Sequence, residues 1–193
     1  MSARHLDITP AEARKRLLEL VREQAFREGL DIELSSGKRS DFYVDGKKIT
    51  LMPEGLFLLA FLLLHELEAF PEVSAIGGMT LGADPICAGI SLLSHLIERP
   101  LPAFIVRKDA KGHGTEARIE GDLVPGQAVA IVEDTITTGG NSLRAIEAVR
   151  DLGANPIVVF ALVDRMDPDG DDFRRMNVVR ALYTVHDLRS ETG

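Results

Sequence analysis

The densest chemistry in the chain lies in Ile131 to Gly140, IVEDTITTGG. Two acids, Glu133 and Asp134, directly follow the apolar run Ala128 to Val132. Thr135, Ile136, Thr137, Thr138, Gly139, Gly140 and Asn141 come next, and then a helical pattern. Paired glycines let a backbone turn tightly and approach a ligand closely. Free N–H groups at the following helix start, with the threonine hydroxyls, make an anion site. Carboxylates beside an anion site make sense if one ligand carries both a phosphate and a sugar. The loop would hold the phosphate, and the acids would accept hydrogen bonds from sugar hydroxyls. The acids would also place negative charge near an anomeric carbon that becomes cationic during substitution. The competing reading is a surface turn with Asp134 near a helix start. A Walker A loop is excluded, because no G-x-x-x-x-G-K-[ST] occurs.

This segment resembles the motif by which type I phosphoribosyltransferases bind phosphoribosyl pyrophosphate (PRPP). Three further segments resemble the orotate-specific members of that family. Arg107-Lys108-Asp109-Ala110-Lys111-Gly112-His113-Gly114 is similar to their R-K-x-x-K-x-H-G mobile loop. Its physical case is independent: four cationic or basic residues gather in an otherwise acidic chain, with glycines to keep the segment mobile. Such a loop could close on a pyrophosphate leaving group, exclude water and offset developing charge. Leu34 to Lys47, LSSGKRSDFYVDGK, resembles the family's N-terminal hood over the base. Tyr43 stands where members place an aromatic ring near orotate, while Val44 departs from the aromatic pair of some. Lys47 is a candidate anion contact. Ile76 to Ile86, IGGMTLGADPI, resembles the pyrophosphate loop, with Asp84 placed to cap the next helix and Pro85 at its first position.

The resemblance implies residue roles. Arg107, Lys108, Lys111, His113, Glu133, Asp134 and Thr135 to Asn141 would bind PRPP. Lys111, Glu133 and Asp134 would be catalytic, and Tyr43, Thr137 and Arg165 would bind orotate. A guanidinium suits the carboxylate of orotate, because it can bind it bidentately. The alternative for Arg165 is a surface arginine paired with Asp164 or Asp167. Mg²⁺ would come mainly on PRPP or pyrophosphate, with no protein metal site: histidines 5, 65, 95, 113 and 186 are scattered. The resemblance also implies a homodimer whose loop reaches the neighbour's site.

The elements that must position these residues follow an α/β rhythm. Thr9-Pro10-Ala11-Glu12 is a capping box, so a helix should run to about Arg27, with Gly29 stopping it. Ile32–Leu34 and Phe42–Val44 read as short strands, and Pro53 opens a helix to about Phe70. Strands are expected at Val73–Gly77, Ala103–Arg107, Ala128–Glu133, Pro156–Val163 and Val178–Val185. Helices are expected at Asp84–Leu96 and Ser142–Leu152. Apolar strands separated by helices imply a mostly parallel central sheet flanked by helices, with right-handed crossovers. The expected division is an N-terminal helix and hood over residues 1–50 and a phosphoribosyltransferase core over 51–193, within one structural domain. Lys108 to Gly121 breaks the rhythm as a long polar loop.

Composition sets the outer bounds. The 193 residues carry a formal charge of −8, which argues against nucleic acid as the main partner. The start, MSARHLDITP, has no apolar signal core. The longest apolar run, Leu56 to Leu64, is shorter than the ~20 residues of a membrane span and reads as a buried helix. With one cysteine, Cys87, no intrachain disulfide is possible, and the cytoplasm is the expected compartment. The rival readings are a purine- or uracil-specific phosphoribosyltransferase, a regulatory PRPP sensor, and a bifunctional enzyme that also decarboxylates its product.

Overall fold

The computed structural model describes residues 8–33, 39–108 and 118–190. Helix α1 (Pro10–Leu20) starts on the expected capping box: Thr9 accepts from the Glu12 N–H, and Glu12 reaches back to Thr9. A single π turn, Val21–Ala25, follows, and the backbone then becomes extended at Phe26. The helix therefore ends two residues before the expected Arg27. Strand β1 (Phe26–Glu33) takes over and pairs antiparallel with β2 (Arg39–Val44). Phe26 faces Phe42 across this hairpin at 6.1 Å between ring centres, a tertiary contact that overrides local helix preference. Gly29 sits at the irregularity in that pairing, between Glu28 and Ile32, and does not stop a helix.

A short helix α2 (Lys47–Thr50) leads to α3 (Pro53–Glu66). The apolar run lies on α3, where Leu59, Leu62 and Leu63 are at most 1% exposed. Burial of each such leucine stabilises the fold by roughly 1.5–3 kcal/mol. No helix among the described residues is long and apolar enough to cross a membrane.

The main sheet has six strands: β3 (Ala75–Met79), β4 (Ala103–Val106), β5 (Ile119–Glu120), β6 (Ala128–Ile136), β7 (Asn155–Asp164) and β8 (Val179–Thr184). Their order is β5-β4-β3-β6-β7-β8. Every pairing is parallel except that of β5 with β4. Helices α1, α3 and α4 (Asp84–Leu96) pack on one face, around Leu17, Leu63, Ile90 and Val132. The other face is covered by α5 (Gly140–Asp151) and by Phe173 of α6 (Asp171–Met176), over Ile131 and Ala161. The last described element is α7 (Val185–Arg189). The mostly parallel sheet with helices on both faces is the architecture expected from the apolar strands. After β3 the chain winds outward through β4; after β6 it winds the other way through β7 and β8. The order reverses between β3 and β6, where open α/β sheets bind ligands.

Candidate active site

Strand β6 runs three residues further than the sequence suggests. Thr135 pairs with Val163 and Ile136 with Asp164 of β7, so Glu133 and Asp134 lie inside the strand rather than beyond its end. Neither acid is solvated: Glu133 is 4% and Asp134 is 7% exposed. Strand alternation directs them toward opposite faces of the sheet. Both carboxylates nevertheless converge on Gly82, in the loop after β3. A Cβ at Gly82 would lie 2.7 Å from Glu133 Oε1 and 2.8 Å from Asp134 Oδ1, so a larger residue would displace one of the carboxylates. The two loops at the switch point thus close on one acidic centre.

The electrostatics follow from this crowding. Asp134 Oδ1 accepts from the Thr135 N–H at 2.9 Å, and Oδ2 lies 3.2 Å from Lys47 Nζ. Lys47 therefore serves Asp134, where the sequence left its anion partner open. Burial works against the Lys47 charge, but Asp134 and Asp45 outweigh it and raise its pKa. Burial and then the Asp134 charge push Glu133 up to about 8. Burial and the neighbouring charge thus favour the protonated form of Glu133.

Directly beyond the acids lies a cleft of about 240 Å³. It takes in Glu133, every residue from Thr135 to Ser142, and Arg144. All the residues predicted for the phosphate loop are brought together here. Gly139 adopts φ +82, and a Cβ there would meet the Phe173 ring at 2.3 Å, so both conformation and space demand glycine. The next residues open α5, whose free N–H groups face the cleft end. Ser142 and Arg144 were not anticipated. The Ser142 Oγ is buried without a hydrogen-bond partner, and Arg144 adds a cation. Their spacing from Gly140 within the first helical turns was the available signal. A larger apolar cavity, about 280 Å³ beside Phe61, Phe70 and Ile97, is lined by none of the predicted site residues.

Arg165 follows β7 and is tied to β6 by its backbone N–H, which donates to Ile136 O at 2.9 Å. The alternative of a surface arginine fails: its side chain is buried, with the residue 6% exposed. Nor is it paired with Asp164, which instead accepts from Arg174 at 2.9 Å. One Arg165 amine donates to Ser40 Oγ at 3.0 Å, and the guanidinium stacks on Phe42 at 4.4 Å. Its Nε has no partner. Burial lowers its pKa from the ordinary arginine value. A buried guanidinium with an unused donor is prepared for an anion. Tyr43 is 42% exposed on β2 and lies within electrostatic range of both Lys47 and Arg165.

The cationic loop is only partly in view. Arg107 directly follows β4, which ends one residue earlier than expected, and pairs with Glu120 at 3.2 Å, while Lys108 is exposed. Lys111 and His113 lie outside the described residues. Asp84 is not the cap residue expected. It is the first residue of α4, with Ala83 at the cap, and it accepts the Thr80 hydroxyl at 2.7 Å. Among the described residues, no group of three or more His, Cys, Asp or Glu could hold a metal ion. Two adjacent carboxylates still fit a divalent cation that arrives on a phosphate ligand, because such ions take only one or two protein carboxylates.

A mostly parallel sheet, an acidic pair at its switch point and an adjoining anion loop are the features expected of a type I phosphoribosyltransferase. No protein-family model matches the chain. An orotate phosphoribosyltransferase of Sorangium cellulosum is 45% identical over 181 residues, covering 92% of this chain and 94% of that protein. The crystal structure of Mycobacterium tuberculosis orotate phosphoribosyltransferase with Fe(III) dicitrate superposes with a TM-score of 0.77 at 40% identity, covering 92% of this chain and 99% of that one. The same enzyme in complex with PRPP matches with a TM-score of 0.72 at 36% identity over 91% and 98% of the two chains. The chain belongs to the orotate phosphoribosyltransferase family.

Proposed function

We propose that this enzyme transfers ribose 5-phosphate from PRPP to orotate, giving orotidine 5-monophosphate and pyrophosphate in pyrimidine biosynthesis. The observation that carries the reading is a buried carboxylate pair on β6, one member of which, Glu133, lines the same cleft as the loop Thr135 to Ser142. Thr135 to Asn141 bind the 5-phosphate, with backbone N–H groups and hydroxyls as donors. Glu133 and Asp134 accept from the ribose hydroxyls. As the bond from C1 to the pyrophosphate oxygen breaks and the bond to orotate N1 forms, they offset positive charge on the sugar. Arg165 binds the orotate carboxylate, and Thr137 and Tyr43 border the base. The β1–β2 hairpin acts as the hood, within residues 1–50, over the core of 51–193. No covalent nucleophile is required; positioning and fixed charge perform the reaction.

Arg107, Lys108, Lys111 and His113 act on the pyrophosphate, with Lys111 stabilising the leaving group. Glu133 and Asp134 would hold Mg²⁺ brought in on PRPP, which when bound supplies positive charge to the pyrophosphate oxygens. The working form is a homodimer whose cationic loop reaches the neighbour's site. The compartment is the cytoplasm, which accords with a single buried free thiol, Cys87.

Pyrophosphate release from PRPP, measured in parallel with orotate, uracil, hypoxanthine and adenine, tests the substrate. Release with orotate alone is expected; release with uracil but not orotate overturns the reading. Mixing inactive Lys111→Ala with inactive Asp134→Asn subunits should restore part of the activity. No recovery in verified mixed dimers would remove the shared loop.

A further inference from the structure

We propose that Arg189, on the last helix of the chain, is a positioning residue that aims Arg165 at the base by holding the ring on which Arg165 stacks. The proposal rests on the reading that Arg165 takes the orotate carboxylate.

Arg189 reaches both strands of the hairpin with different nitrogens. Its Nε lies 2.7 Å from Glu28 Oε1 on β1, and a terminal amine donates to Asp41 Oδ2 on β2 at 2.7 Å. Its guanidinium carbon also sits 4.8 Å from the centre of Phe42. Phe42 is the ring that carries Arg165 at 4.4 Å, and Ser40, two residues earlier, accepts from Arg165. Period-2 alternation places Ser40 and Phe42 on one face of β2, so two side chains of one strand set the Arg165 plane. The Arg165 Nε has no hydrogen-bond partner, and Asp167 and Asp41 act on the guanidinium only through charge.

The helix that carries Arg189 is itself fixed. Thr184 and Asp187 form a capping box at its start, and Val185 and Leu188 are buried. Contact therefore runs without a gap from α7 to the hairpin to the base-binding arginine. Only a planar guanidinium supplies two divergent N–H directions and a face for stacking. The ion pairs are partly exposed, with Arg189 at 35% and its partners at 50% and 69%, so each adds little to overall stability. Their effect is on where Phe42 stands, and through it on how well the Arg165 fork meets a carboxylate.

The test is a double-mutant cycle in steady-state kinetics, with orotate and PRPP varied separately. Arg189→Met should raise the orotate KM about tenfold and change the PRPP KM by less than about twofold. Arg189→Lys should recover only part of the loss. In an Arg165→Ala background, adding Arg189→Met should raise the orotate KM by no more than about twofold, because the group being positioned is gone. Phe42→Leu, which keeps bulk and removes the ring, should reproduce the orotate defect and leave Arg189→Met with little further effect. Equal rises in both KM values, or a full additional rise in the Arg165→Ala background, would show that Arg189 only staples the fold. If Arg165→Ala itself leaves the orotate KM unchanged, the underlying reading of Arg165 fails, and the positioning role fails with it.

Discussion

The site proposed for the phosphate comes from one stretch, Glu133 to Arg144, whereas the site proposed for the base draws on β1, β2, α7 and the residue after β7. At the phosphate end, a strand, a turn and a helix start place every donor by local geometry. At the base end, Arg165, Ser40, Phe42 and Arg189 meet only because the hairpin and the last helix fold back onto β7. The first construction is rigid and common to many chemistries. The second depends on long-range packing.

The contrast is best broken at its strongest point. Asp134→Asn removes charge from the acidic centre without changing its shape. It should lower kcat/KM for PRPP by about 10²–10³-fold, the scale of losing one preorganised electrostatic contact. Unchanged kinetics would show that the compact end is only a scaffold. Next, Arg165→Ala should raise the orotate KM by roughly 10–100-fold, as expected for a charge-assisted hydrogen bond, and leave the PRPP KM near its normal value. A matched loss in both would erase the division between the two ends.

Gly139→Ala addresses the rigidity of the phosphate loop. Positive φ and the Phe173 ring both oppose the added methyl, so it should cost about 1–3 kcal/mol in chemical denaturation. A neutral result would mean that the loop relaxes easily. The smallest effect concerns Glu133. Burial makes the native state hold its proton more tightly than the unfolded chain does, raising its pKa from the ordinary 4.5 to about 8. That stabilising contribution is complete below 4.5 and is lost as pH climbs through about 8. The Tm of the free enzyme should therefore drift down as pH rises across that window. Glu133→Gln should flatten the drift; an identical slope in that variant would remove its cause.

The same contrast explains what the sequence made legible. Helices α3 and α4 and the apolar strands carry their own code in hydrophobic runs and proline starts, and their places were readable to within a few residues. The motif Glu133 to Gly140 was readable because it is local. The end of β6 was not, since Thr135 and Ile136 are held in strand by β7 and not by their own propensity. The start of β1 was misjudged for a similar reason: Phe26 follows a helical pattern until Phe42 and the β2 ladder override it, whereas the strand at Phe42–Val44 was expected. Arg165 could be picked out as a residue, but its burial and its contacts with Ser40 and Phe42 are products of folding. Nothing in the local sequence of Arg189 points to Phe42.

One backbone feature bears on how such an enzyme can diversify. The β6–β7 ladder continues through Ile136 and Asp164, and the next amide, that of Arg165, donates to Ile136 O. On the proposed roles, the phosphate grip and the carboxylate fork are thus fixed on adjacent, laddered strands, like the jaws of a caliper locked at one setting. The span from 5-phosphate to base is gauged by main-chain geometry, which side-chain substitution barely alters. The fold can exchange one base for another by changing what lines the jaws, while every product keeps the length of a single nucleotide.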